Sequence, residues 1–215
     1  MELCCISDTH SKHAQLDLTQ YPADVLVHAG DWTRSNDLEL SETINFLEWL
    51  ENQPYKHKVL IAGNHEVQVE ADIENFKRVL AIIAPSVTFL NDSAVIISGI
   101  KFYGSPYSNE FFNWAFMEDE FYLKHRWDKI PDDTQVLITH GPAYGCNDLV
   151  KHYRGADPHV GSKSLHYRKL TIQDSLKLHI SGHIHEAYGV TGNSVCASVL
   201  DEKYQLVNKP IVMEI

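Results

Sequence analysis

The sequence predicts a single α/β domain with a largely parallel core, and three observations carry that expectation. Short apolar runs recur along the chain, each closing on a cluster of Asp, His, Asn, Gly or Ser. Segments with helical apolar spacing lie between several of these runs. The chain has 215 residues, 44% of them hydrophobic, which is enough for one well-buried core spanning residues 1–215.

The first run, residues 3–6, stops at Ser7-Asp8-Thr9-His10. Residues 25–27 stop at His28-Ala29-Gly30-Asp31, and residues 59–61 at Ala62-Gly63-Asn64-His65-Glu66. Continuous apolar runs of this length read as strands buried on both faces. Gly or Pro beside the polar cluster marks a loop at the strand's carboxyl end. Leu40, Ile44, Leu47 and Leu50 recur at helical spacing and end before Pro54; Ile73, Phe76, Val79, Leu80 and Ile83 do so before Pro85. Residues 95–103 read as a hairpin turning at Ser98-Gly99. Residues 136–138 stop at Thr139-His140-Gly141-Pro142, a weaker helix is expected from about Ser162 to Leu170, and residues 178–180 stop at Ser181-Gly182-His183-Ile184-His185. Residues 195–199 and 211–213 add strands at the end of the chain. This order fits a layered or sandwiched α/β core with antiparallel strands added on. Open α/β sheets bind ligands at strand carboxyl ends, where all the polar clusters fall.

Composition excludes several classes of function. The formal net charge of −11 disfavours duplex nucleic acid and anionic membranes as partners. An anionic substrate therefore needs local positive charge, which a bound metal supplies better than the scattered Lys and Arg. Cys4 and Cys5 are adjacent and face opposite sides of a strand, while Cys146 and Cys196 stand alone. That usage predicts a reduced, cytoplasmic protein. No signal-peptide pattern precedes the first motif, and no apolar run approaches the ~20 residues needed to span a bilayer.

Residues i and i+2 on an extended chain face the same way, so Asp8 with His10, and His183 with His185, are each expected to form a clamp. Adding Asp31, Asn64 and His140 gives a set of oxygen and nitrogen ligands too large for one transition metal and suited to two. Metals of a two-metal hydrolase sit about 3.5–4 Å apart, and a carboxylate can bridge them. With no thiolate in the set, manganese, iron, zinc, cobalt or nickel is favoured over a structural zinc. Taken singly, each His or Asp reads more readily as a cap, a surface group or a satisfied core residue; their co-occurrence carries the metal reading. His13, His28, His57, His125, His152, His159, His166 and His179 keep the structural reading, with His28 and His179 packed and hydrogen-bonded inside strands. Glu66 and Glu186, beside ligands, read as residues that cap or orient loops.

Asp8-x-His10, Gly30-Asp31, Gly63-Asn64-His65-Glu66, Thr139-His140-Gly141-Pro142 and Gly182-His183-x-His185 together resemble the calcineurin-like metallophosphoesterase superfamily. Tyr103-Gly104-Ser105-Pro106, Asn113-Trp114-Ala115-Phe116 and Gly182-His183-Ile184-His185-Glu186-Ala187-Tyr188-Gly189 extend the resemblance, over nearly the whole chain, to its metallophosphoesterase-domain-containing subfamily known from vertebrate brain. The resemblance implies a sandwich of two central mixed β-sheets flanked by helices, with the metal site at the strand carboxyl ends. It implies two divalent transition-metal ions, manganese foremost. Asp8, His10 and His185 would hold the first ion, Asn64, His140 and His183 the second, and Asp31 would bridge them. Some vertebrate members have glycine where this chain has His183, and Gly30-Asp31-Trp32-Thr33-Arg34 departs from the G-D-x-x-D-R-G signature of the phosphoprotein phosphatases.

The implied activity is hydrolysis of a small phosphodiester, such as a cyclic nucleotide, by water activated between the two cations. Asn64 would also offer N–H donors to the phosphate. His65 would contact the phosphate and protonate the leaving alkoxide, a role worth roughly 10²–10⁴-fold in rate. A phosphomonoesterase or protein phosphatase is the alternative; a nuclease or a non-catalytic scaffold ranks lower. Two stretches stay open. Tyr107, Phe111, Phe112, Trp114, Phe116, Phe121, Tyr122 and Trp127 either pack an excursion onto the domain or onto a second subunit of a homodimer, or form a wall for a nucleobase. Lys151, His152, Arg154, His159, Lys163, His166, Arg168 and Lys169 form either a solvated basic face or a place to meet a phosphate-bearing substrate.

Overall fold

A computed structural model of the protein describes residues 1–34, 38–151 and 158–215. In chain order the elements are β1 (Glu2–Ile6), β2 (Val25–Ala29), α1 (Ser41–Glu51), β3 (His57–Ile61), α2 (Val67–Ala71), α3 (Ile73–Ile83), β4 (Val87–Phe89), β5 (Ser93–Ile97) and β6 (Ile100–Ser105). They continue as β7 (Ser108–Asn109), β8 (Met117–Glu118), α4 (Glu120–Trp127), β9 (Val136–Thr139), α5 (Lys163–Thr171), β10 (Leu178–Ser181), β11 (Gly189–Thr191), β12 (Ser194–Cys196) and β13 (Ile211–Glu214).

Among the described residues, two main sheets form, ordered β13-β1-β2-β3-β4 and β11-β12-β10-β9-β6-β5. Their centres are parallel, and β13, β5 and β11 add antiparallel edges. Strand alternation explains how the sheets stack. Leu3 and Cys5 of β1 join Val25, Val27, Val59 and Ile61 against Phe102, Val136, Ile138, Leu178 and Ile180 of the second sheet. Cys4 and Ile6 point the other way, onto Phe46, Leu47 and Leu50 of α1 and Phe76 and Leu80 of α3. On the far side of the second sheet, Tyr103 and Leu137 pack under Leu123 and Trp127 of α4 and Leu165 of α5. The result is a helix–sheet–sheet–helix sandwich, as the sequence predicts.

The expected hairpin turns at Ser98 and Gly99, both at positive φ (49° and 83°), the geometry that twists two strands together. Ser162 caps α5 by accepting a hydrogen bond from the amide of Leu165. The aromatic excursion of residues 106–131 contains β7, β8 and α4. Phe116 and Trp127 are buried in it, whereas Phe111, Phe112, Phe121 and Tyr122 are exposed. No helix among the described residues is long and apolar enough to cross a membrane.

Candidate metal centre

The carboxyl ends of β1, β2, β3, β9 and β10 bring Asp8, His10, Asp31, Asn64, His65, His140, His183 and His185 to one place. Three trios have ligand atoms within 4.8 Å of one another: Asp8, His10 and His185; Asp31, His140 and His183; and His10, Asp31 and His65. Asp31 belongs to two of them. His140 Nε2 lies 2.9 Å from Asn64 Oδ1 and 3.3 Å from Asp31 Oδ2. His185 Nε2 lies 3.5 Å from Asp8 Oδ1, and His10 Nε2 lies 3.8 Å from Asp31 Oδ2.

Of the two expected two-residue clamps, Asp8 with His10 forms by a different route and His183 with His185 does not form. β1 stops at Ile6 and β10 at Ser181, so neither pair of residues lies on extended strand. Asp8, His10, Asp31 and His183 instead have φ of 53°, 38°, 59° and 67°. Such left-handed residues cost about 1–3 kcal/mol each and cluster at functional sites. The turn keeps Asp8 and His10 together beside His185 but swings His183 away from His185, toward Asp31 and His140. The φ of His183 is one that glycine adopts freely.

Backbone carbonyls aim the imidazoles. Nδ1–H of His10 donates to Thr33 O at 2.8 Å, that of His140 to Ala29 O at 2.9 Å and that of His185 to Asp201 O at 2.9 Å. Each Nε2 is thereby left to face the centre, the arrangement by which a neighbouring acceptor fixes the tautomer of a ligating histidine. His10 Nε2 and Asn64 Nδ2 are buried with no hydrogen-bond partner. Burial pushes His10 and His183 down to about 4, which keeps both neutral near pH 7. Burial also works against charge on His140, but the Asp31 carboxylate outweighs it and carries the group up to about 9. Burial alone would raise Asp31; His140 and His65 instead hold it well below the usual carboxylate range.

Buried lone pairs therefore converge on a small volume, with nitrogen and oxygen but no sulfur among them. A cation can satisfy that arrangement, and the donor set suits divalent transition metals. Two glycines let these side chains pack close to the backbone. A Cβ on Gly63 would meet Asp31 Oδ1 and come within 2.6 Å of His140 Cε1, and one on Gly182 would meet Asp8 Oδ2 and Ser7 Oγ.

Glu66 holds the scaffold from behind. It is fully buried; Oε2 accepts the amides of Asp31 (2.9 Å) and Gly63 (2.7 Å), and Oε1 accepts the amides of Trp32 (2.9 Å) and Thr33 (3.0 Å). One side chain thus ties the loop carrying Asp31 to the loop carrying Asn64 and His65. Glu66→Gln would set an NH2 group against amide donors. It is expected to weaken metal binding by about 10–100-fold and to lower Tm. Calorimetric metal titration with a melting curve checks this; unchanged affinity would reduce Glu66 to filler.

The centre opens into a cavity of about 600 Å³. Phe111, Trp114 and Tyr204 line it together with His65, His159 and Lys163. Trp114 packs edge-on against His65, with ring centroids 5.1 Å apart. Tyr204, at φ 57°, lays its ring 4.9 Å from that of His10 and 5.1 Å from that of His185. Nothing in the sequence marks Tyr204, since it stands alone in a polar turn. His28 and His179 keep their structural reading, bonded to Thr9 Oγ1 (3.1 Å) and Thr139 Oγ1 (2.8 Å).

Comparison with known proteins agrees with this architecture. The sequence profile of the family described as calcineurin-like phosphoesterase matches residues 1–187. Metallophosphoesterase domain-containing protein 1 of Homo sapiens is 38% identical over 240 residues, spanning 98% of this chain and 70% of that protein. A UPF0046 protein of Caenorhabditis elegans is 34% identical, spanning 100% of this chain and 75% of that protein. Among solved structures, a Thermus thermophilus protein superposes with a TM-score of 0.67 at 12% identity, over 99% of this chain and 98% of that one. The phosphopantetheinyl hydrolase of Mycobacterium tuberculosis does so at 0.61 and 14%, over 97% and 95%. At such identities the two structures speak for the fold alone.

Proposed function

The chain belongs to the calcineurin-like phosphoesterase family and is a hydrolase of phosphoesters, and from that premise we propose that it acts on small phosphodiesters of cyclic-nucleotide type. The observation that carries the reading is the cavity. Buried nitrogen and oxygen lone pairs meet at its floor, and flat apolar rings stand beside them. Its volume of about 600 Å³ falls in the range of small-molecule sites. A second ester substituent, absent from a monoester, would lie against Phe111 and Trp114, where stacking of a base contributes ~1–3 kcal/mol.

In this reading Asp8, His10 and His185 would hold one ion and Asn64, His140 and His183 the other, with Asp31 shared by both; manganese is the first choice. When bound, the two ions supply Lewis acidity toward the phosphoryl oxygens and lower the pKa of water. The remaining tasks belong to side chains. Asn64 Nδ2, buried without a partner, is a donor for a phosphate oxygen. His65, 7% exposed and wedged between Trp114 and His10, carries a proton to the departing alkoxide. Trp114 shields that transfer from water. The four cysteines are free, and Cys4, Cys5 and Cys196 are buried, which supports a reducing, cytoplasmic setting.

The test uses metal-stripped protein refilled in turn with manganese, iron, zinc, cobalt and nickel. Hydrolysis of a cyclic nucleotide and of bis-nitrophenyl phosphate is compared with that of nitrophenyl phosphate. A higher kcat/KM for the diesters with the best ion is expected, and no turnover without metal. A preference for the monoester with every ion would replace the diester reading with a phosphomonoesterase.

A further inference from the structure

We propose that His159 and Lys163 form a second anion subsite in the cavity, which takes a second phosphate of the substrate beyond the one at the metal centre. The inference rests on the phosphoesterase reading for the first phosphate. It starts from the basic stretch of residues 151–169, whose members the fold sends to different places. Arg168 is engaged by Ile130 O and by Asp132 at 2.6 Å, and Lys169 is buried with its ammonium donating to Ser194 Oγ at 2.6 Å. His152 and Arg154 lie outside the described residues. His159 and Lys163 line the cavity.

Of the acidic neighbours, Asp148 and Glu120 are turned away from the cavity, while the exposed Glu110 also lines it. Asp148 is 1% exposed; its Oδ1 holds His159 Nδ1 at 2.7 Å, and its Oδ2 accepts the amides of Gly145 (3.0 Å) and Gly161 (3.1 Å). The buried carboxylate at that distance fixes the orientation of the imidazole through Nδ1 and not through Nε2. A ligand in the cavity therefore meets the imidazole of the pair and not its carboxylate. Two short segments fix this geometry: Val150 N donates to Pro158 O at 2.9 Å and Val160 N to Asp148 O at 3.0 Å. The ammonium of Lys163 sits over the ring of Tyr144, 5.1 Å from its centroid, while its side chain stays exposed. Glu120 lines the same cavity but turns its oxygens to the amides of Lys163 (2.8 Å) and Ser164 (3.1 Å), the Ser164 hydroxyl and Asn109. In a chain of net charge −11, a lysine and a histidine facing one cavity, with the carboxylates of Asp148 and Glu120 engaged by protein donors, is an arrangement for an anion.

The experiment measures calorimetric binding of thymidine 5′-monophosphate and thymidine 3′,5′-bisphosphate to the metal-loaded protein. The second phosphate is expected to tighten binding about tenfold, the worth of a charge-assisted hydrogen bond. His159→Gln and, separately, Lys163→Gln should each remove most of that gain and leave monophosphate affinity unchanged. Lys163→Gln leaves the Asp148 pair intact, so a folding defect in the first variant does not decide the matter. No gain in the wild type, or an equal loss for both nucleotides, overturns the subsite. A His159-dependent gain in a protein that hydrolyses no phosphoester would leave the subsite standing and count against the proposed activity instead.

Discussion

Asp31→Ala and Asp31→Asn are both expected to lose activity by more than about 10³-fold, since a bridging ligand serves transition-state charge stabilisation worth several kcal/mol. Asp31 stands in two of the three ligand trios, and its Oδ2 lies 3.3 Å from His140 Nε2 and 3.8 Å from His10 Nε2. In the proposed assignment, removing it would take an oxygen from both ions at once. Metal content should fall from two ions per chain to one or none. The fold should survive, because the metal-free site loses a buried carboxylate that opposes the ionisation of Asp8 and Glu66. The Asn variant separates charge from geometry: it keeps an acceptor for the His65 amide, which donates to Asp31 Oδ1 at 2.9 Å. Its loss should therefore match that of Ala if charge toward the metals is the role. Measured activity and metal content both at wild-type level in either variant would rule out the bridging assignment.

The parallel strands were legible because each is a continuous apolar run ending in residues unsuited to a strand interior. Asp31, Asn64 and His140 follow such runs directly, so their convergence could be read from strand ends alone. The local backbone could not. Asp8, His10 and His183 bond to the centre through left-handed turns, and a sequence shows residue types that tolerate positive φ without showing that they adopt it. Glu66 was visible as a ligand's neighbour, but three of the four amides it accepts lie more than thirty residues away, beyond any local pattern. α4 stayed hidden because its apolar residues, Phe121, Tyr122, Leu123 and Trp127, divide between an exposed face and the core instead of marking one stripe. His159 and Tyr204 reach the cavity through loops, where spacing carries no signal about direction.

His65→Ala isolates the proton from the metals. The side chain is within ligand range of Asp31 and His10, with Nε2 4.0 Å from Asp31 Oδ2, and its Nδ1 is buried without a partner. Its backbone amide, which donates to Asp31, survives the substitution, so the loop should hold. As a proton donor, His65 matters in proportion to how badly the leaving group needs a proton. An alkoxide leaving a cyclic nucleotide needs one, while nitrophenolate departs as an anion. The variant is expected to keep both ions, to lose about 10²–10⁴-fold in kcat on the cyclic nucleotide, and to lose far less on bis-nitrophenyl phosphate. Equal losses on the two substrates would make His65 a phosphate-binding group instead. Loss of bound metal would move it into the ligand set, where the trio of His10, Asp31 and His65 gives it a place. Metal analysis on the sample used for the two rates distinguishes these outcomes, because only a proton donor leaves the ions in place while dividing the substrates by their leaving groups.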